Sequence, residues 1–306
     1  MTSEAARSND WRRKRVDEIR IDLVVPVLNE AHVLEGSIDK LLKYFSANIP
    51  FDWRVVIAEN GSTDGTEAIG RQLAAALPRV DLLVIGRRGR GRALRTAWSR
   101  PGADIFCYTD VDLSTELEAF PKLFQALIDG YDVAIGSRLA PTSQTRRSLK
   151  REMISRTYNQ ILRWTLGVGF SDAQTGFKGI TRDVARHVLP LVQDESWFLD
   201  TELLVLAEHM GYRIKDIPVR WIEDDDSRVK IIETAWEDLQ GVARLRRALR
   251  SAQWSRATAA PAYPDDRAGA CGAGLDADRS SAGLPPLTQG SGSFNAGPGR
   301  PETTTR

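Results

Sequence analysis

The sequence predicts an α/β protein with a mostly parallel sheet flanked by helices, and three observations carry that reading. Apolar runs of strand length alternate with segments of helical period through the first half of the chain. Each of the first four runs ends in a polar or glycine-bearing turn. Strand–helix units of this kind close as right-handed crossovers, which set the strands parallel and bring the turns to one rim. With 306 residues, 42% of them hydrophobic, there is ample material for a buried core.

The strands fall at "IDLVVPV" (21–27), "WRVVIAE" (53–59), "VDLLVIG" (80–86), "ADIFCYT" (103–109) and "DVAIGSR" (132–138). The second half changes character. A long helical stretch runs from Arg146 to about Leu166, and a glycine-bearing loop, "GVGFSDAQTGFKG" (167–179), follows it. Further helices, a strand near "YRIKDIPVRWI" (212–222) and a final helix from about Val229 to Gln253 complete the ordered part. This order suits a nucleotide-binding front half and an acceptor-binding back half.

Composition divides the chain into three. Residues 1–18 form a basic extension with no apolar stretch behind it, and residues 19–256 form one catalytic domain without internal repeats. From Ala257 to Arg306 the chain has 8 Gly and 6 Pro and little to bury, which reads as a disordered tail. No run of 18 apolar residues occurs, so neither a signal peptide nor a membrane span is expected. Cys107 and Cys271 are too few and too ill-matched for a disulfide framework or a zinc site, which favours a reducing, cytoplasmic setting.

Chemistry is expected where ligands bind in such sheets, outside the carboxyl ends of the strands. There "YTDVDLST" (108–115) places Asp110 and Asp112 one residue apart, just as the fourth strand gives way to a loop. A plainer reading is that Thr115 and Glu118 form a capping box that opens the next helix. The turn "ENGSTDGT" (59–66) is a loop by its glycines, and Asp64 with Glu67 could cap the helix after it. The basic turn "GRRGRGRALR" (86–95) lacks the G-K-[ST] of a Walker A loop and does not fit G-x-G-x-x-G, which disfavours P-loop and dinucleotide enzymes.

Taken together, "PVLNE" (26–30), "ENGSTDGT" and the Asp110/Asp112 pair resemble the pattern of family 2 glycosyltransferases of GT-A type: P-x-x-N-E, then an acidic D-G-S-x-D-G-T turn, then D-x-D. The resemblance continues through "GSR" (136–138), "KREMISRTYNQILRWTLGV" (150–168), "DAQTGFKGI" (172–180) and "IPVRWIEDDDSRV" (217–229), where it is to the branch making polyprenyl-phosphate sugars, such as dolichyl-phosphate glucosyltransferase and dolichyl-phosphate mannose synthase. It implies a GT-A type, Rossmann-like sheet. It also implies a nucleoside-binding role for Glu59 and, more loosely, for Pro26, Asn29 and Glu30, with Asp64 in the same turn and Arg90 facing the donor phosphates where relatives often have lysine. Glu59-Asn60 stands where two aspartates are usual, which leaves the donor base open.

A nucleotide-sugar diphosphate leaves from the anomeric carbon, so its departing oxygens need a divalent cation or fixed positive charge. Asp110 and Asp112 are the candidates to hold Mg²⁺ or Mn²⁺, ions that take one or two protein carboxylates and fill the remaining positions with phosphate oxygens and water. Arg138 and Arg156 fall in the segment matching the acceptor region of the family. Arg228, in "DSRV", matches a position near the donor diphosphate.

Charge bears on the acceptor. Seven basic residues and one acid lie between Arg138 and Arg163, and five arginines with no acid lie between Gly241 and Arg256. In that last stretch Val242, Leu245, Leu249 and Ala252 share a helical face, as on a helix lying against an anionic membrane. A net charge of +1 and the lack of any nucleic-acid motif argue against a nucleic-acid partner. None of His32, His187 and His209 shows a catalytic pairing. A phosphate monoester acceptor, largely dianionic at neutral pH with a second pKa near ~6, would need no general base. Asp200 and Glu202 stand as fallback bases, on different faces of one helix.

The expected activity is therefore metal-dependent, inverting transfer of a hexose to a polyprenyl phosphate at the cytoplasmic face of a membrane, from UDP-glucose more than from GDP-mannose. The polar tail stands where relatives carry membrane helices, which leaves room for a separate membrane-embedded partner subunit. The alternatives are a soluble or glycan acceptor, or a catalytically silent nucleotide-sugar-binding scaffold at a membrane surface.

Overall fold

The computed structural model describes residues 10–146, 148–222 and 231–250, without the side chains of Leu149, Lys150 and residues 231–235. Arg228 and the tail expected at 257–306 lie outside the described residues.

Seven strands form the main sheet: β1 (Arg20–Val27), β2 (Asp52–Glu59), β3 (Val80–Val84), β4 (Ile105–Thr109), β5 (Val133–Ser137), β7 (Phe177–Thr181) and β8 (Ile214–Pro218). Their order is β3-β2-β1-β4-β7-β5-β8. All neighbours run parallel except at β7, which is antiparallel to both β4 and β5. The remaining strands, β6 (Gln144–Arg146) and β9 (Arg220–Ile222), pair as a small second sheet.

Alternation along the strands builds two cores. In β4, Phe106 and Tyr108 face one side and Ile105 and Cys107 the other. The first side is covered by α3 (Arg90–Trp98), α5 (Leu149–Leu166), α6 (Arg182–His187), α7 (Leu199–His209) and α8 (Ile231–Arg250). The second packs against α1 (Leu34–Asn48), α2 (Thr66–Ala76) and α4 (Ala119–Ile128), where Phe45, Phe120 and Phe177 meet edge to face. A sheet buried on both faces explains why its strands read as continuous apolar runs.

The chain winds outward from β1 to β2 and β3, then returns to place β4 on the other side of β1. This reversal opens the crevice at the carboxyl ends of β1 and β4, the place where doubly wound sheets bind ligands. Asp110 immediately follows β4.

Several expectations are corrected. The loop expected through Gly179 is a loop only as far as Gly176, and residues 177–181 are a central strand. The long helix begins at Leu149, because Arg146 belongs to β6. No capping box opens α4: Glu118 is its N-cap without a side-chain cap bond, and Thr115 bridges instead to Trp221 of β9. Packed structure starts before the expected boundary at Ile19, since Trp11 is fully buried. Its neighbour Arg12 donates to Leu127 O and Tyr131 O and pairs with Asp132, while Lys14 pairs with the buried Asp104. On α8 the apolar face turns inward, not to a membrane: Val242 and Leu245 are buried and Leu249 packs against them.

Candidate active site

Two loops clasp each other at the ends of β1 and β2. Asn29, with φ of 58°, accepts from Thr63 N through its side chain (2.8 Å) and donates its own N–H to Ser62 Oγ (2.9 Å). Glu30 N donates to Thr66 Oγ1 (2.8 Å), and Ala31 N to Asp64 Oδ2 (3.2 Å). Asp64 also accepts from Thr66 N, so its carboxylate braces both loops. Pro26 lies inside β1.

Glu59 ends β2 almost fully buried. Its Oε1 accepts from Gly61 N and Ser62 N at 2.8 and 2.5 Å, while Oε2 is buried without a hydrogen-bond partner. Asn60 donates to Val27 O (2.9 Å) and accepts from Gly89 N (3.2 Å), tying three loops together. An aspartate there could not donate, which gives the departure from the family pattern a physical reason.

Gly89 and Gly91 of "GRRGRGRALR" serve close packing. A Cβ on Gly91 would lie 2.7 Å from the Glu195 carbonyl carbon and 2.8 Å from Ser196 O. The turn therefore presses on the segment leading into α7, and Arg92 N donates to Glu195 O. Arg90 is thrown across the crevice. Its guanidinium donates to Asp200 Oδ2 (2.6 Å), Asp110 Oδ1 (2.9 Å) and Tyr108 Oη (3.1 Å), between the rings of Tyr108 and Trp197 at 4.9 and 5.0 Å.

Beneath it lies a buried polar cluster. Tyr108 and Lys178 are paired neighbours on β4 and β7. Asp200 Oδ1 is 2.7 Å from the Tyr108 hydroxyl and 3.1 Å from Lys178 Nζ, which donates to Thr175 O. Burial works against the Asp200 charge, yet Lys178 and Arg90 outweigh it and hold the carboxyl below the usual range. Burial likewise pulls Lys178 below an ordinary lysine, with Asp200 opposing. A carboxylate so occupied makes a poor general base. Glu202 fares no better: it accepts from Gln193 N and Asp194 N and pairs with Arg244 at 3.0 Å. Neither fallback base is poised for proton transfer.

Asp110 lies over Gly176, whose carbonyl accepts its N–H at 3.2 Å, and any side chain on Gly176 would occupy the space of the Asp110 carboxylate. Asp112 is exposed and accepts from Ser114 N (3.0 Å). Leu113 between them has φ of 53°, a conformation that costs a branched residue ~1–2 kcal/mol. The strain is held by the small sheet, where Ile222 N donates to Ser114 O and Glu116 N to Arg220 O.

Arg138 forms a fork with the fully buried Asp172 (2.8 and 2.9 Å), over the ring of Trp221. Burial opposes charge on Asp172, but Arg138 outweighs it and keeps the carboxyl low. Arg156 is elsewhere: it pairs with Glu152 one turn back on the exposed side of α5. Among the described residues, no group of three or more His, Cys, Asp or Glu side chains is placed to hold a metal. Arg90, Arg138 and Lys178 are each already matched by a carboxylate. A divalent cation held by Asp110 and Asp112, with phosphate and water as its other ligands, fits this donor set.

A Rossmann-like, mostly parallel sheet with Asp110 and Asp112 following β4 at its switch point is the arrangement of a GT-A glycosyltransferase. Sequence comparison is specific: the family described as "Glycosyl transferase family 2" matches residues 22–189, and the chain belongs to that family. Glycosyltransferase AglD of Haloferax volcanii is 34% identical over 217 residues, covering 70% of this chain but 35% of its own length. The dolichyl-phosphate beta-glucosyltransferase of Drosophila melanogaster is 31% identical over 229 residues, 69% of each chain. In fold, the chain resembles glucosyl-3-phosphoglycerate synthase of Mycobacterium tuberculosis, solved with Mn²⁺ and UDP-glucose, at a TM-score of 0.58 and 17% identity, covering 80% of this chain and 84% of that one.

Proposed function

We propose that the chain transfers glucose from UDP-glucose to a polyprenyl phosphate with inversion, using Mg²⁺ or Mn²⁺. The observation that carries this reading is Asp110 and Asp112 at the switch point, beside cations already matched by carboxylates. The similarity to dolichyl-phosphate beta-glucosyltransferases supports the choice of sugar and acceptor.

In this reading the catalytic domain runs from the N-terminal turn at Asp10 through α8, with residues 257–306 as a tail. Glu59 Oε2 accepts an N–H of the base, in a pocket held open by Pro26, Asn29, Glu30 and Asp64. Asp110 and Asp112 hold the cation, which supplies charge neutralisation to the leaving diphosphate when bound. Arg90 adds fixed positive charge beside it. The acceptor phosphate, oriented by Arg138 and by Arg228 of the motif beyond the described residues, attacks the anomeric carbon as a dianion, with Arg156 left on the outer face of α5. Its second pKa near ~6 removes the need for a protein base, in keeping with the settings of Asp200 and Glu202. An anionic membrane surface is the partner of the basic face of α8, where Arg246, Arg247 and Arg250 are exposed. In this reading the enzyme works peripherally on the cytoplasmic side of the membrane.

The test is incubation with radiolabelled UDP-glucose, Mn²⁺ and a short polyprenyl phosphate. Label moving into organic solvent supports the reading. Label that stays in water as a new glycoside points to a soluble acceptor, and wild-type protein that never consumes donor refutes an enzymatic role.

A further inference from the structure

Asp200 is a heavily committed carboxylate beside the crevice. It is 2% exposed and meets Arg90, Tyr108 and Lys178 together. Burying a charge is costly unless it is paired and hydrogen-bonded. Here the pairing has a direction: Arg90 is the member whose guanidinium continues outward, through its second nitrogen, to Asp110. The backbone of Arg90 is fixed as well, since Gly89 and Gly91 pack against Glu195 and Ser196, a few residues before Asp200. Trp197 lies over the guanidinium.

We propose that Asp200 is a positioning residue: it acts through Arg90, holding that guanidinium at the edge of Asp110 where the donor diphosphate binds. This rests on the donor-binding reading above. Left unanchored, a long arginine side chain samples many rotamers, and ordering it on binding subtracts from affinity. Anchored on Asp200 from behind, Arg90 meets the diphosphate already in place, as a preorganised electrostatic partner does. Lys178 and Tyr108 keep Asp200 ionised and aimed, so the anchor persists across the neutral pH range.

The positioning role separates from both a general-base role and a purely structural one by its coupling to Arg90. The experiment is calorimetric titration of UDP with Mn²⁺ into wild-type protein, Asp200→Asn, Arg90→Gln and the double variant, with turnover and thermal melting recorded beside it. Each single change is expected to weaken UDP binding about 10- to 100-fold, the range of a charge-assisted hydrogen bond. The double variant is expected to bind no more than about threefold more weakly than Arg90→Gln alone, because the anchor has nothing left to hold. Asp200→Asn that binds UDP like wild type while turnover collapses would overturn the proposal in favour of a base. Fully additive losses would overturn it in favour of separate roles. Should Asp200→Asn fail to fold, Asp200→Glu carries the same comparison, since it leaves every charge and every other partner of Arg90 in place and shifts only the anchoring carboxylate by one methylene. It is expected to weaken UDP binding several-fold in the wild-type background and to be silent beside Arg90→Gln; no effect in either background would overturn the proposal. Wild-type protein that binds neither UDP nor GDP would refute the donor reading itself, a result distinct from a silent Asp200 in a protein that binds UDP.

Discussion

Replacing Gly176 with alanine tests the placement of the Asp110 carboxylate without touching an ionisable group. The added methyl would fall within the space of Asp110 Oδ2 and Cγ. An ordinary carbon contact needs about 3.5 Å, so the carboxylate must retreat by roughly 1.5 Å or more. Gly176 has no positive φ, and the methyl therefore brings no backbone strain of its own. Asp110 is 41% exposed at its side chain and can swing outward, so the fold should survive with a melting temperature within a few degrees of wild type. Catalysis should not. A displacement of about 1 Å at a reacting centre costs on the order of 100-fold, about 2.7 kcal/mol of transition-state stabilisation. The measurement is donor turnover across a Mn²⁺ titration, with differential scanning fluorimetry alongside. Turnover within about threefold of wild type would show that the position of Asp110 does not matter, and would remove the reason for placing the cation there.

Other outcomes follow from the same geometry. Arg138→Ala strands the buried Asp172 and should cost about 3–5 kcal/mol in urea unfolding, whereas Arg138→Met with Asp172→Leu should recover much of it. Arg244→Glu sets a carboxylate beside Glu202 and should destabilise by about 3 kcal/mol; exchanging Arg246, Arg247 and Arg250 for Glu should leave melting unchanged yet release the protein from acidic liposomes in flotation. Asp238, bonded to Gln174, is pushed up to about 7 by burial, from 3.8. Because its folded pKa is raised, its protonated form stabilises the fold fully below pH 4, and that stability is lost as pH rises towards 7, at no more than about 1.4 kcal/mol per unit. Unfolding curves for wild type and Asp238→Asn should therefore differ in slope between pH 4 and 7 and run parallel above it.

The front of the fold was legible because β1, β2 and β4 are buried on both faces and read as apolar runs ending in polar turns. β7 was not. Its sequence, "FKGIT", carries a lysine at its second position, and a charge there argues for a loop unless a buried partner exists. That partner, Asp200, stands 22 positions further along the chain, as the numbering shows, beyond the reach of any local pattern. The same limit hid the clasp between Arg90 and Asp200. The position of Asp110 and Asp112 at the end of β4 was legible because a strand end next to a crossover is a place that sequence can mark. The apolar stripe of α8 was visible, but amphipathicity does not say which way a helix faces. Trp11 was passed over because basic neighbours disguised it, and those neighbours prove to be held by Asp104 and Asp132.

The reversed strand β7 also governs the order in which the molecule can be assembled. β5 has no hydrogen bonds to β4; it meets β7, and β7 meets β4. As the chain leaves the ribosome, β4 therefore presents an open edge until residues 177–181 have emerged, and β5 waits unpaired with it. An open edge of this kind is a template for pairing with another chain, and long-range pairing of this kind forms slowly. Front and back halves are consequently one cooperative unit. A fragment ending before β7 should appear in inclusion bodies, and expression of the whole domain should respond to slower synthesis or to chaperones more than to changes at the mouth of the crevice.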